Sequence, residues 1–274
     1  FKKEEFNADE IRTSMIGREL QGDYYRSDFT PSSQKEAAIT ATNLKYKEEL
    51  KSVSITLKKG EILGIGGLAA CGMHTLGKAM FGALALEEGE VTTYDGTKIN
   101  SPHIAVANKI GYVSKDRDVE SLCLSASIQD NIAVGGMEKY AVNGFLITNK
   151  KEKEYVAKQI KDLSIKCSDE NQLTGQLSGG NKQKVVFGKW IGCGSEILIL
   201  DCPTRGVDIG VKQAMYQLMI QLKKEGRAIL LISEELPELL GMSDRILIMK
   251  DGQISHEFMR SENLTDADVI GYMI

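Results

Sequence analysis

Over residues 38–46 (AITATNLKY) and 50–57 (LKSVSITL), apolar positions alternate with polar ones, the period-two pattern of half-buried strands. Lys58-Lys59-Gly60 is a turn into a third apolar run, EILGIGG (61–67). A fourth strand is predicted over 90–94, closed by the Asp95-Gly96 turn. The middle of the chain, roughly 101–190, reads as mostly helical. Over 150–163, Val156, Ile160 and Leu163 share one face with charges between them, predicting an amphipathic surface helix. The last third alternates: strand 196–201, helix 209–224, strand 227–232, helix 235–241, strand 244–249. Strands separated by helices imply a parallel sheet with helices on its faces. Residues 7–20 read as a short polar-faced helix and 21–36 as a polar linker; no internal repeat is present.

At 274 residues the chain can bury a large core, and its length suits one domain with subdomains as well as two domains. A hydrophobic content of 42% with 26% charged residues is ordinary for a soluble globular protein. The net charge of −4 disfavours a broad nucleic-acid footprint. Apolar runs such as 228–232 fall far short of the ~20 residues of a membrane span. The chain opens FKKEEFNADE, with neither a Met nor a signal peptide, and reads as an excised piece. Cys71, Cys123, Cys167, Cys193 and Cys202 are odd in number and never spaced CxxC, which suits a reducing cytosol and neither a disulfide framework nor a zinc motif.

Two stretches carry chemistry. Leu177-Ser178-Gly179-Gly180 opens a predicted helix, where free N–H groups and the helix dipole make an anion site. The same residues also suit a glycine-rich helix start with a serine N-cap. Downstream, the apolar run 197–200 ends in Asp201, an acid placed to hold the water shell of a magnesium ion.

A phosphate loop needs a strand, then GxxxxGK[ST], then a helix. Gly67-Leu68-Ala69-Ala70-Cys71-Gly72 follows the strand and supplies both glycines, but Met73 and His74 stand where a lysine and a hydroxyl belong. Methionine offers a phosphate neither charge nor donor, and imidazole is a poor ligand for an oxygen-seeking ion. A second literal match, Gly72-x4-Gly77-Lys78, lies inside the predicted helix and puts Ala79 at the hydroxyl position. Lys78 is otherwise a solvated helix lysine.

In this order and spacing the motifs resemble the nucleotide-binding domain of an ABC-type ATPase. The stretches GEILGIGGL (60–68), YVSKDR (112–117), LSGGNKQKVVFGKWI (177–191), ILILDCPTRGVDIG (197–210) and SDRILIMKDGQI (243–254) carry the likeness. It is closest to the second, C-terminal domain in the fused ATPase subunit of ribose-, galactose- and xylose-type importers. MIGREL (15–20) resembles the end of the first such domain, implying a preceding half with the competent phosphate loop and catalytic glutamate. The implied fold is α/β: a P-loop NTPase (ABC ATPase) core with a mainly parallel sheet, an antiparallel β subdomain and a helical signature subdomain at roughly 115–190. Residues 1–36 are then a tail and linker, and 37–274 the domain itself.

The resemblance implies ATP and Mg2+ as cofactors, with Gly67, Ala70, Cys71, Gly72, Met73 and His74 around the phosphates and Asp201 on the metal through water. Tyr46 stands where an aromatic stacks on adenine, and plain packing explains it equally well. Cys202 replaces the glutamate that polarises the attacking water. A thiol of pKa ~8.5 cannot do that work, and a small buried cysteine is a plainer reading than a redox role. Glu234 replaces a histidine that senses the γ-phosphate; His74, His103 and His256 are expected elsewhere, the last two as surface or packing residues. Lys115 replaces an acid of the family's SEDR stretch, where no glutamine is found.

In contrast, Ser178, Gly179, Gly180 and Asp208 keep the elements that close over nucleotide held by a partner domain. The implied function is a C-terminal nucleotide-binding domain with a degenerate site of its own that completes its partner's site. The implied partners are the N-terminal nucleotide-binding domain of the same subunit, transmembrane permeases and, indirectly, a periplasmic or lipid-anchored sugar-binding protein, with no nucleic acid. The implied place is the cytoplasmic face of the plasma membrane, with the piece itself soluble. The alternative is an interaction module of the same fold that binds no nucleotide. A ribosome-acting relative predicts a basic chain with two signature loops, and neither is present.

Overall fold

The computed structural model describes residues 24–141 and 146–274, so the predicted helix over 7–20 lies outside the described residues. Strands β1 (Ala37–Tyr46) and β2 (Leu50–Lys58) pair antiparallel, as their alternating pattern predicts. The chain then leaves that sheet for β3 (Ile62–Gly67) and α1 (Met73–Met80), and returns as β4 (Glu88–Thr93) on the far side of β1. The remaining strands are β5 (Ile110–Val113), β6 (Ile197–Asp201), β7 (Ala228–Ile232), β8 (Arg245–Lys250) and β9 (Gln253–Met259). They form a six-stranded sheet with β3, in the order β5-β6-β7-β3-β8-β9, parallel except for β9. This is the mainly parallel core with an antiparallel β layer that the motifs imply.

Helices cover both faces. α2 (Pro102–Ala107) precedes β5; α3 (Ile128–Ala133), α4 (Met137–Tyr140), α5 (Asn149–Asp162) and α6 (Gly179–Gly192) lie between β5 and β6. α7 (Ile209–Lys224) and α8 (Leu236–Met242) are the crossovers to β7 and β8, and α9 (Asp266–Ile270) follows β9. Alternation along the buried strands sorts the core into two halves. Ile197, Ile199, Leu230 and Ile232 pack with α1 and the antiparallel sheet. Leu198, Leu200, Ile229 and Leu231 pack with Val185, Val186 and Phe187 of α6 and Met215 and Tyr216 of α7. Successive side chains of a strand point to opposite faces, so each strand stitches both halves together.

Two strands depart from the sequence reading. β5 falls inside the stretch read as mostly helical, because four residues (IGYV) are too few to show a period. β9 continues the chain after the last predicted strand as an antiparallel edge with alternating exposure. The polar segment read as a linker has no helix or strand over 24–36, yet it is pinned to the sheet. The buried Arg26 donates from Nη1 to Asp244 Oδ1 at 2.9 Å, and the Ser32 N–H reaches the same oxygen at 3.0 Å. Asp244 Oδ2 accepts from the Ile62 N–H at 2.9 Å, and Lys223 Nζ lies 3.1 Å from Oδ1. These partners lie far apart in sequence, which is why composition alone reads the segment as free.

Asp244 therefore anchors β3, α7 and the entering segment through one buried carboxylate. Asp244→Ala leaves the Arg26 and Lys223 charges without their shared partner and should cost about 3–5 kcal/mol, read as a lower denaturant midpoint at unchanged slope. Burial holds the Glu238 carboxyl above the ordinary carboxylate range, and its Oε1 accepts from Thr204 Oγ1 at 2.7 Å. A raised folded pKa means its contribution is full below about pH 4 and is lost as pH rises. Glu238→Gln keeps an acceptor without that loss, so its stability relative to the parent should rise as pH increases above about pH 4 in parallel melts.

Candidate functional site

The loop after β3 turns sharply into α1. Ala70 sits at φ 66° and Gly72, the N-cap of α1, at φ 99°, both left-handed. Only glycine fits at Gly72, since a Cβ there would overlap the Glu49 carbonyl oxygen in the β1–β2 turn. Gly72 offers the first turn of α1 no side-chain cap. To this extent the loop keeps the shape of an anion cradle.

The side chains in and around it do something else. Met73 is 1% exposed and packs in the core with the antiparallel sheet, a burial that stabilises the fold by roughly 1.5–3 kcal/mol. His74 places Nδ1 2.7 Å from Asp201 Oδ1. Its Nε2 lies 3.4 Å from Glu234 Oε1 and 3.1 Å from Lys115 Nζ, while Lys115 donates to Glu234 at 2.7 Å. Tyr112 OH donates to Asp201 Oδ2 at 3.2 Å. Asp201, fully buried, thus has both oxygens engaged by side chains of the chain itself. Thr75 Oγ1 donates to Glu49 at the mouth of the loop.

His74 stands in the phosphate loop in sequence, and its side chain reaches across to Glu234, a contact the sequence alone does not show. His103 is exposed and His256 stacks on Tyr272 with ring centroids 4.0 Å apart, as surface and packing residues do. The decoy lysine, Lys78, lies on α1 and pairs with Glu120 at 2.7 Å. Tyr46 is half-buried against the core with Lys47 Nζ 5.0 Å from its ring centroid.

The electrostatics follow from these contacts. The Lys115 hydrogen bond, helped by His74, holds the Glu234 carboxyl below its ordinary range. Burial, with the Asp201 charge behind it, pushes the Cys202 thiol up to about 12. Burial and the same carboxylate also hold the Tyr112 phenol up. Cys202 is therefore a neutral thiol at ordinary pH and has no capacity as a general base. Sequence reasoning missed Tyr112, Thr75 and Glu49, and it read Lys115 only as replacing an acid. Tyr112 and Lys115 both lie within YVSKDR, but only the fold shows what they face.

A second cluster lies at the starts of α6 and α7. Ser178 is the N-cap of α6, and its Oγ accepts from Asn181 Nδ2 at 3.0 Å rather than from the backbone. A Cβ on Gly179 would come within 2.9 Å of the Gly206 carbonyl, and one on Gly180 within 2.9 Å of Val211. The two glycines thus let α6 approach the 204–208 loop closely. Arg117 Nη1 donates to the Arg205 carbonyl at 2.7 Å, tying the segment after β5 to the same loop. Asp208 caps α7 by accepting from the Val211 N–H at 3.0 Å. Ser178 and Asp208 are both exposed.

Known proteins match this layout. The ABC transporter family matches residues 50–205. A ribose import ATP-binding protein of Clostridium tetani is 38% identical over 275 aligned positions, covering 100% of this chain and 54% of that protein. One from Bacillus subtilis is 41% identical, covering 94% of this chain and 52% of that protein. The chain thus spans about half the length of the curated relatives it matches. Among solved structures, an ATP-binding cassette of an ABC transporter superposes with a TM-score of 0.73 at 23% identity, over 88% of this chain and 100% of that one. A dimeric cassette bound to ADP and Pi gives 0.71 at 22% identity, over 81% of this chain and 98% of that one. With a family match over more than half of its length and relatives 38% and 41% identical along nearly all of it, the chain belongs to the ABC transporter ATP-binding family.

Proposed function

We propose that this chain is the second, C-terminal nucleotide-binding domain in the ATPase subunit of a bacterial sugar importer. It completes the ATP site of its partner domain and turns over no ATP in a site of its own. The observation that carries this reading is the opposite state of two surfaces. Ser178, Gly179, Gly180 and Asp208 stand exposed or closely packed at two helix starts, ready to meet a phosphate presented from outside. Met73 is spent in the core, Asp201 is engaged by His74, and Cys202 is a protonated thiol.

ATP with Mg2+ belongs to the composite site, where the ion supplies charge neutralisation on the phosphates. This chain's residues orient that nucleotide: the first-turn N–H groups of α6 and the Ser178 hydroxyl offer donors, and Asp208 fixes the start of α7 beside them. The chain's own donors fit Mg2+ poorly, since the ion prefers six oxygens and is met here by an imidazole and a thiol beside one carboxylate. The ribose-import relatives support a simple sugar as the transported class. The partners on this reading are the N-terminal nucleotide-binding domain, membrane permeases and, through them, a sugar-binding protein. The place is the cytoplasmic face of the membrane; among the described residues no helix is long and apolar enough to cross it.

The Thr75–Glu49 contact and the His74–Asp201 pair favour a second reading, a module that holds no nucleotide of its own. Calorimetric titration of the chain with ATP, with and without Mg2+, separates the two. Magnesium-dependent binding in the micromolar range means a retained non-turnover site; no binding at millimolar ATP means a module that serves only its partner. In a complete two-domain subunit, Ser178→Arg should reduce ATPase activity by at least about 10²-fold. Lys78→Ala, on a helix away from the signature loop, should leave it unchanged. Retained activity in Ser178→Arg would remove the composite site from the reading.

A further inference from the structure

We propose that His74, Asp201 and Cys202 form a binding site for a borderline-soft divalent cation of the zinc type, at the place where relatives are expected to hold magnesium. One ligand atom from each residue, the imidazole nitrogen, a carboxylate oxygen and the thiol sulfur, lies within 4.8 Å of the other two. Asp201 is fully buried, Cys202 is 6% exposed and the His74 ring is 26% exposed, so the trio sits under a partly open mouth. Three protein ligands of N, O and S type with one open position is the donor set that zinc accepts and magnesium refuses.

Two adjacent residues at a strand end ordinarily point to opposite faces. Cys202 breaks that alternation with a left-handed φ of 47°, held by its N–H donating to the Ile232 carbonyl at 2.9 Å. A non-glycine residue in that region costs about 1–2 kcal/mol, and here the turn keeps the thiol near the Asp201 carboxylate. The outer contacts of a metal site are in place as well. With His74 Nδ1 facing Asp201, Nε2 lies 3.1 Å from Lys115 Nζ and 3.4 Å from Glu234 Oε1, so Glu234 is the carboxylate within reach to accept from Nε2 once a metal holds Nδ1. Tyr112 donates to the second oxygen of Asp201. Lys115 on Glu234 balances the charge of that outer carboxylate.

Binding replaces the His74–Asp201 hydrogen bond. The Nδ1 hydrogen that faced Asp201 is lost to solvent as the Nδ1 lone pair goes to the metal, and Nε2 takes up a proton from solvent, toward Glu234, as the Lys115 ammonium turns away from the ring. The Cys202 thiol gives up its proton to solvent as the sulfur–metal bond forms. Tetrahedral donors on bonds of ~2.0–2.3 Å stand about 3.3–3.7 Å apart, so the His74–Asp201 pair opens slightly and the sulfur moves in. Spacing in the sequence gives no zinc motif because His74 comes from α1 and the other two ligands from the end of β6. The inference does not depend on the transport reading, and its test uses no ATP.

The test is a Co2+ titration of this chain followed by absorption. The expected result is one Co2+ per chain, a near-ultraviolet thiolate-to-cobalt band, displacement by Zn2+ and no displacement by excess Mg2+. Cys202→Ser should lose the band, and Glu234→Gln should weaken binding by about 10–100-fold. A second variant, with Cys71, Cys123, Cys167 and Cys193 all changed to Ala, should keep the band and guards against a Cys202→Ser chain that fails to fold. Absence of the band in the parent, its survival in Cys202→Ser, or its loss in the four-cysteine variant overturns the proposal.

Discussion

The in-register parallel pairing of β3, β7 and β6 governs where all the chemistry of this protein sits. Ile65 pairs with Ile232 and Ile232 with Asp201, while Leu200 pairs with Val113 of β5, so four strands end at the same level. The loops that leave them carry Leu68 to Gly72, Lys115 and Arg117, Cys202 to Asp208, and Glu234. In open α/β sheets the carboxyl ends of the strands are where ligands bind, because the helices that follow turn their N-termini toward that edge. Residues far apart in sequence become neighbours here through sheet register alone. A slip of one residue in β6 would turn Asp201 to the other face.

At this edge Asp201, Glu234 and Glu49 make a strongly acidic neighbourhood. Each acid has a partner within the chain: His74 for Asp201, Lys115 for Glu234, Thr75 for Glu49. The buried Asp201 needs such partners, since an uncompensated buried carboxylate costs several kcal/mol, whereas Glu234 and Glu49 are exposed. Met73 turns inward and adds apolar area to the core. At the start of α6, Gly179 and Gly180 permit its close approach to the 204–208 loop and to α7.

Much of this was legible from the sequence. Strands β1, β2, β6, β7 and β8 and helix α7 follow from hydrophobic periodicity, because burial on one or both faces writes itself directly into residue order. The loop glycines, Ser178, Asp201 and Asp208 were equally visible, since backbone chemistry at turns and helix starts accepts few residue types. β5 was not, being too short to show a period. Nor was the pinning of residues 24–36, whose buried charge partner, Asp244, lies across the chain.

Sequence by itself therefore determined the fold class and the positions of the loops after β3, β6 and β7, because period, turn residues and caps act over a few neighbouring positions. Only the tertiary structure decided what those side chains do: that Met73 is core, that His74 reaches Asp201 and Glu234, and that Lys115 answers Glu234. The physical reason is range. Local backbone preference is settled within a turn or a strand, whereas a charge chooses its partner among all groups that packing brings within a few ångströms.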